Sequence, residues 1–393
     1  MNDSFFFRNV NMKLFILLGC LLSSIFVALS FVLSSEYFST AFLPIYGMLF
    51  IPYGIACTRV SKTNLSQKQL LSLIGIFALF FRLCLLVAPP SLSNDIDRYL
   101  WDGLVFQAGF NPYQFPPNAT ELSSLAKKYP YHSQISHPDI STIYPPMMQI
   151  LFRLIVSISP SILGMKLVFL LFDLGVIFLL YQLLKKHGLP QERILIYAWN
   201  PLPILEFSGN GHNDIVAIFF LLVALNYFID QKHWKGIFFL SASFSSKILG
   251  IFALFFLKLH RKPSLIVVFF GFVVLACYPF LDEQLSLFRG LLYYTSELRF
   301  NDSLFDCAFL WVEPLFTEYS DAMTGTKFIF AVLMLSLMVA CWKENVSVLS
   351  GVYILLSGLM MFTTQLHPWY LGWILPFACF YRRNSWLLLS ATV

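Results

Sequence analysis

The sequence predicts an all-α, polytopic membrane protein of about 10–13 transmembrane helices. Of the 393 residues, 58% are hydrophobic and only 12% are charged, whereas soluble domains have about a quarter of their residues charged. Apolar runs long enough to cross a bilayer as helices recur along the chain. This composition excludes an ordinary soluble enzyme. The net charge of +5 is small and does not indicate nucleic-acid binding.

Hydropathy predicts about ten spans, which occupy most of the chain. They are 13–33, 40–58, 70–88, 162–184, 193–208, 213–229, 264–280, 326–342, 346–364 and 368–381. Residues 146–158 are too short to span alone, and 236–257 are interrupted by SASFSSK, which indicates a broken element that lines a polar cavity. The run that begins at Ser385 is short, so a truncated C-terminus is one expectation. We expect residues 1–393 to form a single integral-membrane domain.

Lys and Arg are concentrated in one set of loops, which the positive-inside rule places in the cytoplasm together with the N-terminus. These residues are Arg59, Lys62, Lys68, Lys185, Lys186, Arg193, Lys232, Lys235, Lys258, Arg261, Lys262, Lys343, Arg382 and Arg383. The external face then receives two long loops, about 90–145 and 281–325, which we expect to carry short interfacial helices. The corners 209–214 and 363–370 lie on the same face. Because all the polar motifs converge there, we expect the active site on the external face.

The stretch SNDIDRYLWDG, residues 93–103, gathers three acidic residues and one Arg directly after an apolar run. It is predicted to begin an amphipathic interfacial helix. At 100° per residue, Asp95, Arg98 and Asp102 share one face, whereas Asp97 lies roughly 160° from Asp95. This geometry disfavours a metal-binding pair of carboxylates. Asp95 then either caps the helix or acts as a base that the helix start helps to keep ionised.

The corner WNPLPILEFSGNGHND, residues 199–214, contains two candidates for function. Glu206 lies in the last turns of a predicted span, where an ionisable residue is a functional candidate by default. His212 precedes the start of the next helix, which suits an anion, and could donate a hydrogen bond to a phosphate oxygen. The alternative is that Asn213 or Asp214 merely caps that helix.

Three other positions interrupt the apolar pattern. Lys247 in the broken element suits a point charge for a leaving phosphate, although it could instead extend to the membrane interface. His367 in QLHPWYLGW is a candidate donor or proton carrier, while the interfacial aromatic belt accounts for Trp369 and Tyr370. Tyr144 in STIYPPMMQ is expected to form at most a wall of the site.

Together these stretches resemble the integral-membrane glycosyltransferases of glycosyltransferase family 87, which are mannosyltransferase-like proteins with a GT-C fold. The stretches that carry the resemblance are NDIDRYLWDG, GFNPY, TIYPP, NPLPILEFSGNGHND, the Lys247 region and HPWYLGWILP. The resemblance implies inverting transfer of mannose or another hexose from a polyprenyl-phosphate donor to a glycan or glycolipid acceptor. It also implies a bacterial cytoplasmic membrane, with the reaction on its external face.

The resemblance implies a base at Asp95, and Asp97 is the alternative base because this chain has an extra carboxylate where the family has Tyr. Lys247, His212 and His367 would bind the donor phosphate. No cofactor or divalent metal is expected, because a phosphate leaving group carries less charge than a nucleotide diphosphate. The other expected substrate-binding residues are Arg98, Tyr144, Glu206, Asn210, Asp214, Trp369 and Tyr370.

Two other classes of protein are compatible with the same pattern. A secondary transporter or lipid flippase also has many spans, broken helices and intramembrane charges. Transporters place their acidic residues near the bilayer midplane, often in related repeats, whereas here the acidic residues cluster in one external loop and no repeat is visible. A non-catalytic relative that binds polyprenyl phosphate is the third possibility.

Overall fold

The structure, a computed structural model, describes residues 2–36, 38–63, 65–257, 262–297, 299–381 and 384–392. Within these ranges the regular backbone is helical, and an isolated β-bridge joins Phe300 to Gln365. The prediction of an all-α protein is therefore confirmed. Four of the basic loop residues that set the expected orientation, Lys258, Arg261, Arg382 and Arg383, lie outside the described residues.

The first half of the chain builds one packed bundle. Its α-helices are α1 (Asn2–Leu33), α2 (Phe38–Arg59), α3 (Gln67–Leu86), α4 (Asp95–Gln107), α5 (Ser123–Lys128), α6 (Pro146–Ile158), α7 (Ile162–Lys186), α8 (Leu195–Ala198) and α9 (Pro201–Pro203). Helix α1 packs against both α2 and α3. Ser66 begins α3 through a capping box with Gln69, and Ser161 begins α7 by accepting a hydrogen bond from the Gly164 amide.

The second half continues the bundle and adds the second long loop. Its α-helices are α10 (Asp214–Ile229), α11 (His233–Ser246), α12 (Gly250–Phe256), α13 (Pro263–Cys277), α14 (Arg289–Glu297), α15 (Ser303–Val312), α16 (Tyr319–Lys343), α17 (Val348–Phe362), α18 (Leu375–Tyr381) and α19 (Asn384–Thr392). Helix α10 packs against α7 and α11, and α11 packs against α13. Helices α14 and α15 lie in the second loop, as expected.

Six of the described helices are long and apolar enough to cross a bilayer. They are Met12–Leu33, Phe38–Lys62, Gln67–Leu86, Ile162–Lys186, Pro263–Phe280 and Tyr319–Lys343. Side chains such as Phe31, Leu171 and Val267 are exposed on the outward faces of these helices, where only lipid would solvate them well. The chain is thus a polytopic membrane protein. The number of uninterrupted spans is below the expected 10–13 because several apolar segments are broken.

The predicted span 193–208 is one of the broken segments. Its helix stops before Asn200, whose side chain accepts a hydrogen bond from the Leu202 amide at 3.0 Å and so begins the next helix. Pro201 and Pro203 have no amide hydrogen to donate, so a continuous helix would lose two of its bonds here. A π-helix over Ile204–Gly209 then meets α10 at an angle of 117°.

The predicted interruption of 236–257 is confirmed. Helix α11 ends at Ser246, and Lys247 is fully extended, with φ −164° and ψ 154°. Gly250 is the first residue of α12 and packs closely against α11, because an added Cβ there would lie 2.5 Å from the Leu240 carbonyl oxygen. The break therefore exposes Lys247 at the same end of the bundle as the start of α10.

The predicted helix in the first long loop is also confirmed, but its position differs from the expectation. Helix α4 does not lie on the surface: every residue from Ile96 to Val105 is buried, and the helix packs against α6 and α7. Gly103 makes this contact close, because an added Cβ would lie 2.8 Å from the Phe152 carbonyl oxygen. Burial fixes the first turn of α4 rigidly within the bundle.

Candidate active site

Asp95 is the first residue of α4, and the loop before it is held in place by polar contacts. Its amide donates to the Ser93 hydroxyl at 3.2 Å, and the Asn94 side chain donates to the Gln134 carbonyl at 2.7 Å. Asn94, not Asp95, is the N-cap residue. The Asp95 carboxylate is 37% exposed and lies 3.7 Å from His212 Nδ1. The interpretation of Asp95 as a helix cap is therefore wrong.

His212 lies between two carboxylates. Its Nε2 is 3.2 Å from Glu206 Oε2, while its Nδ1 faces Asp95. Both contacts are within ion-pair distance, but neither ring nitrogen of His212 forms a hydrogen bond among the described residues. Asn210 fixes the Glu206 carboxylate by donating to Oε2 at 3.1 Å. His212 and Glu206 are almost fully buried, so the imidazole and one carboxylate are shielded from bulk water, whereas the Asp95 carboxylate is partly exposed.

The tight corner after the π-helix sets the position of His212. Gly211 has φ +74°, a conformation that side chains disfavour, and an added Cβ there would lie 2.5 Å from Ile96 Cδ1. The His212 amide donates to the Glu206 carbonyl at 2.9 Å, and the Asn210 side chain accepts a hydrogen bond from the Leu92 amide at 3.3 Å. These contacts lock the corner directly against the first turn of α4.

Lys247 reaches into the same end of the bundle from the break after α11. Its Nζ is 2.8 Å from Asp214 Oδ1, and it lies over the rings of Tyr370 and Trp373 at 4.9 Å and 5.4 Å from their centroids. Trp373 Nε1 donates to the same Asp214 oxygen at 2.6 Å. Lys247 thus pairs with Asp214 instead of extending to the interface, and Asp214 does more than cap α10. Asn213, the other candidate cap, is the N-cap residue of α10, although its side chain makes no capping hydrogen bond.

Four rings form a continuous stack beside these charges. His212 stacks on Trp369 at 3.8 Å between centroids, Trp369 on His367 at 4.4 Å, and His367 on Phe300 at 4.6 Å. Trp369 therefore positions a histidine and does not merely belong to an aromatic belt. Phe300 comes from the second long loop, which the bridge to Gln365 fastens to this corner.

A cavity of about 100 Å³, called the polar cavity after the polar residues among its lining, opens on the Asp95 carboxylate. It is lined by Asn94, Asp95, Arg98, Ser136, His137, Ile140, Ser141, Ile143, Tyr144 and Tyr293. Its hydroxyl, imidazole and guanidinium groups suit a ligand with many hydroxyls, and its tyrosines offer aromatic faces for stacking.

A larger cavity of about 600 Å³ opens on Glu206 and the ring stack, and it shares Asn94 with the first cavity. It is lined by Phe42, Leu43, Tyr46, Leu92, Ser93, Asn94, Leu202, Leu205, Glu206, Phe300, His367, Pro368, Trp369, Ala391 and Thr392. Most of this wall is apolar, and part of it belongs to the membrane-spanning helix α2. Apolar atoms also form most of the wall of the first cavity, so the two cavities differ in the residues that line them rather than in overall polarity. They approach the Asp95–His212–Glu206 array from different sides.

Burial raises the pKa of Asp95 above its usual range. The electrostatic effects of His212 and Lys247 lower it, the Asp214 carboxylate raises it, and a hydrogen bond with the Tyr144 side chain lowers it. The sequence predicts that the helix start helps to keep Asp95 ionised, and burial, the largest effect on the pKa of Asp95, acts in the opposite direction. Tyr144 is also more than a wall residue, because it contacts the carboxylate.

Asp97 occupies a separate environment. Its side chain is buried, burial alone raises the pKa of Asp97 to about 6, and within the described ranges no hydrogen bond reaches its carboxylate. His367 also differs from an ordinary histidine: burial, with the nearby Lys247 and His212, lowers the pKa of His367 to about 4. His367 is thus a neutral ring at physiological pH.

The Arg98 side chain is held by hydrogen bonds to its own helix, α4, and to the first long loop. Its Nε donates to Asp102 at 2.8 Å, and its Nη2 donates to the Ile140 carbonyl at 2.9 Å. Gln149 donates to the other Asp102 oxygen at 3.2 Å and to the Thr142 hydroxyl at 2.9 Å. Arg98 therefore presents a fixed cationic group to the polar cavity.

The structure brings the predicted site residues to one end of the bundle; Asp97 lies there too, in the first turn of α4, but among the described residues no ion pair or hydrogen bond joins its side chain to the array. Two participants were not predicted. Trp373 is the indole donor to Asp214, and its place in QLHPWYLGW was a usable signal, since it lies in the first turns after His367. Phe300 had no sequence signal, because a long-range backbone bridge brings it to the stack. Within the described residues, no group of three His, Cys, Asp or Glu side chains has an arrangement that could hold a metal.

A polytopic helical fold with a charged site at one end of the bundle defines an integral-membrane protein that handles a polar substrate. Comparison with known families identifies the kind of protein. The family model described as Alpha-(1->6)-mannopyranosyltransferase, N-terminal domain, matches residues 14–262, which is more than half of the chain. The chain belongs to this family and is a glycosyltransferase, so the resemblance to mannosyltransferase-like membrane enzymes is confirmed. No curated protein and no solved structure matches the chain.

Proposed function

We propose that the protein transfers a mannosyl or other hexosyl group from a polyprenyl-phosphate donor to a glycan or glycolipid, with inversion at the anomeric carbon and with Asp95 as the base. The observation that supports this most strongly is the surroundings of Asp95. Its carboxylate opens on a polar cavity, lies 3.7 Å from His212 and has a raised pKa. A partly exposed carboxylate with a raised pKa suits general-base catalysis.

In the proposed reaction, Asp95 accepts the proton of an acceptor hydroxyl as that oxygen attacks the anomeric carbon. The bond between this carbon and the phosphate oxygen breaks on the opposite face, and the bonding electrons leave with the polyprenyl phosphate. His212 holds the Asp95 carboxylate in place, and Glu206 orients the imidazole in turn. Because Asp97 is buried away from this array, we assign the base to Asp95 rather than Asp97.

The donor phosphate would be stabilised by Lys247, with His212 and His367 nearby. Lys247 is 21% exposed, so its ammonium group can meet a phosphate while Asp214, Trp373 and Tyr370 hold it in place. A neutral His367 can donate one hydrogen bond without adding charge. A leaving phosphate of this kind needs no divalent metal, and we propose none.

The two cavities support a division between the substrates. The polar cavity with Arg98 and Tyr144 would hold the acceptor sugar, because its hydroxyl must reach Asp95. The larger cavity, which is lined in part by the membrane-spanning helix α2 and reaches Glu206 and Trp369, would take the first units of the polyprenyl chain. Asn210 would act indirectly, through Glu206. We place the reaction on the external face of a bacterial cytoplasmic membrane, in agreement with the basic loops at the other end of the bundle.

Purified protein supplied with radiolabelled polyprenyl-phosphate hexose and membrane lipid extract tests the proposal. We expect transfer by the wild type and a loss of about 10²–10⁴-fold in Asp95→Asn, because a general base contributes about that much. Asp97→Asn is the matched control and should keep most of the activity. The anomeric configuration of the product, compared with that of the donor, reports inversion.

Three outcomes would contradict parts of the proposal. Equal activity of wild type and Asp95→Asn would remove the base assignment. A loss in Asp97→Asn alone would transfer the role to Asp97. Binding of the donor without any transfer by the wild type would identify a non-catalytic relative that only binds polyprenyl phosphate.

A further inference from the structure

A second charged feature lies at the other end of the α10–α11 hairpin. Helix α10 starts at Asp214 in the candidate site and runs for 16 residues, a length of about 24 Å. Helix α11 starts at His233 and returns to Lys247 in the site. The turn between them is therefore separated from the site by nearly the thickness of a bilayer core.

An open cleft of about 470 Å³ lies at this turn, between the starts of α11 and α13. It is lined by Gln231, Lys232, His233, Trp234, Lys235, Lys262, Ser264 and Leu265. Its lining has three lysines and no carboxylate among the described residues. The cleft therefore carries a concentrated positive charge.

The nearest acidic residue compensates little of this charge. Asp230 is 2.6 Å from Lys186, and Lys232 reaches it only at 3.8 Å. In the part of the chain that the structure describes, neither Lys235 nor Lys262 forms an ion pair; Lys235 lies only near the Tyr227 ring, at 5.8 Å. The backbone amides at the start of α13 add partial positive charge on the same side. The cleft therefore has uncompensated positive charge that suits an anionic ligand.

The surface next to the cleft is apolar. Trp234 in the lining is 58% exposed, and Phe238, one turn further along α11, is also exposed and packs on Phe272. Helix α13 continues from the cleft as a membrane span, with Val267 and Phe270 exposed on its outer face. An amphipathic ligand whose charged group lies in the cleft would therefore place its apolar part against this lipid-facing surface.

We propose that this cleft binds the headgroup of an anionic membrane phospholipid. Lys235 and Lys262 contact the phosphate, and the Ser264 hydroxyl lies within the same lining. Trp234 packs at the level of the headgroup, where its ring suits the interface between water and hydrocarbon. The acyl chains follow the exposed aromatic and aliphatic side chains of α11 and α13. This site is independent of sugar transfer and of the face on which transfer occurs.

Native mass spectrometry of the purified full chain tests the proposal. The protein is mixed in detergent with equal amounts of phosphatidylglycerol and phosphatidylcholine, and the bound lipids are counted. We expect preferential retention of phosphatidylglycerol by the wild type and an affinity about tenfold or more lower in Lys235→Ala/Lys262→Ala. Lys343→Ala, which removes an exposed lysine from the end of another span, should retain the lipid.

Two further measurements, on an arginine variant and with inorganic phosphate, test the role of charge and the kind of anion. Lys235→Arg/Lys262→Arg should restore lipid binding, because the cleft needs charge on a long side chain. Unchanged lipid binding in the double alanine variant, with the variant still monodisperse, would overturn the proposal. Inorganic phosphate, added without lipid, should raise the thermal stability of the protein far less than phosphatidylglycerol does. Equal stabilisation by free phosphate would show that the cleft takes a soluble anion, and the lipid assignment would be wrong.

Discussion

Asp95 and Asp97 are two positions apart, yet they belong to different electrostatic surroundings. Asp95 faces His212 and lies within the electrostatic range of Lys247, whereas Asp97 is buried on another side of α4, where only burial affects its pKa. The angular argument from the sequence predicted this separation correctly. It did not predict the partner of Asp95, because helical periodicity says which residues share a face but not what lies opposite them.

The raised pKa of Asp97 predicts a pH-dependent effect on stability. Since its pKa rises from 3.8 in the unfolded chain to about 6 in the folded protein, the folded state is fully stabilised below the lower value and loses stability as the pH rises through the higher one. Asp97→Asn should therefore be more stable than the wild type above about pH 6, by up to about 3 kcal/mol, with little difference near pH 4. Thermal unfolding in detergent at several pH values measures this.

Asp139→Asn supplies the control, because Asp139 is an exposed carboxylate in the same long loop. That variant should show no such pH-dependent gain. A stability difference between Asp97→Asn and wild type that stays constant across the pH range would show that the Asp97 carboxylate does not titrate as described. If Asp97→Asn were less stable than the wild type at neutral pH and the gap closed towards low pH, the carboxylate would have a stabilising partner.

At the scale of elements, the corner between the π-helix and α10 has little room to change. Gly211 combines a positive φ with close contact to Ile96, the residue that follows Asp95. Gly188, after α7, has a similar φ of +65° but no atom within 4 Å of an added Cβ. The two glycines therefore separate the effect of backbone conformation from that of packing.

Gly211→Ala should destabilise the protein more than Gly188→Ala does. Both substitutions strain the backbone by about 1 kcal/mol, and Gly211→Ala should add about 1–3 kcal/mol because its Cβ would displace Ile96. The displacement also shifts the first turn of α4, so Gly211→Ala should lose transfer activity while Gly188→Ala keeps it. Unfolding midpoints and transfer rates measure the two effects. Equal losses in both variants would mean that packing at Gly211 is not limiting.

The helix boundaries show where hydropathy and residue patterns predict a membrane span correctly and where they do not. The long spans of α1, α3 and α7 follow from uninterrupted apolar runs, so hydropathy located them well. The predicted span 193–208 failed because composition does not register that Pro201 and Pro203 remove two backbone donors. Conversely, the interruption at Lys247 was predicted because a serine-rich stretch and a charge stand inside an apolar run.

For the molecule as a whole, the sequence predicted the class of fold and the gathering of polar motifs at one end. It could not predict how those motifs pair. The ion pair between Asp214 and Lys247 connects the first residue of α10 with the residue that follows α11. The ring stack from Phe300 to His212 takes its residues from three separate segments of the chain. Such contacts depend on the packing of the entire bundle, which local patterns do not encode.

The proposed orientation can be tested with a native residue. Cys307 is exposed in the second long loop, on the face that we assign to the outside. A variant that keeps Cys307 as its single cysteine should react with a membrane-impermeant maleimide in intact cells, as gel-shift or fluorescence assays would show. The same background with Ser in place of Cys307 and with Lys343→Cys should react only after permeabilisation. The reverse pattern would invert the topology.

The second long loop is fastened to the site by main-chain atoms. The Phe300 amide donates to the Thr364 carbonyl at 3.0 Å, and the Leu366 amide donates to the Phe300 carbonyl at 2.8 Å. Because neither bond involves a side chain, the residues that precede this anchor can be exchanged without removing it. Segments of the second long loop can therefore be exchanged while the main-chain anchor at Phe300, and with it the end of the ring stack, is retained.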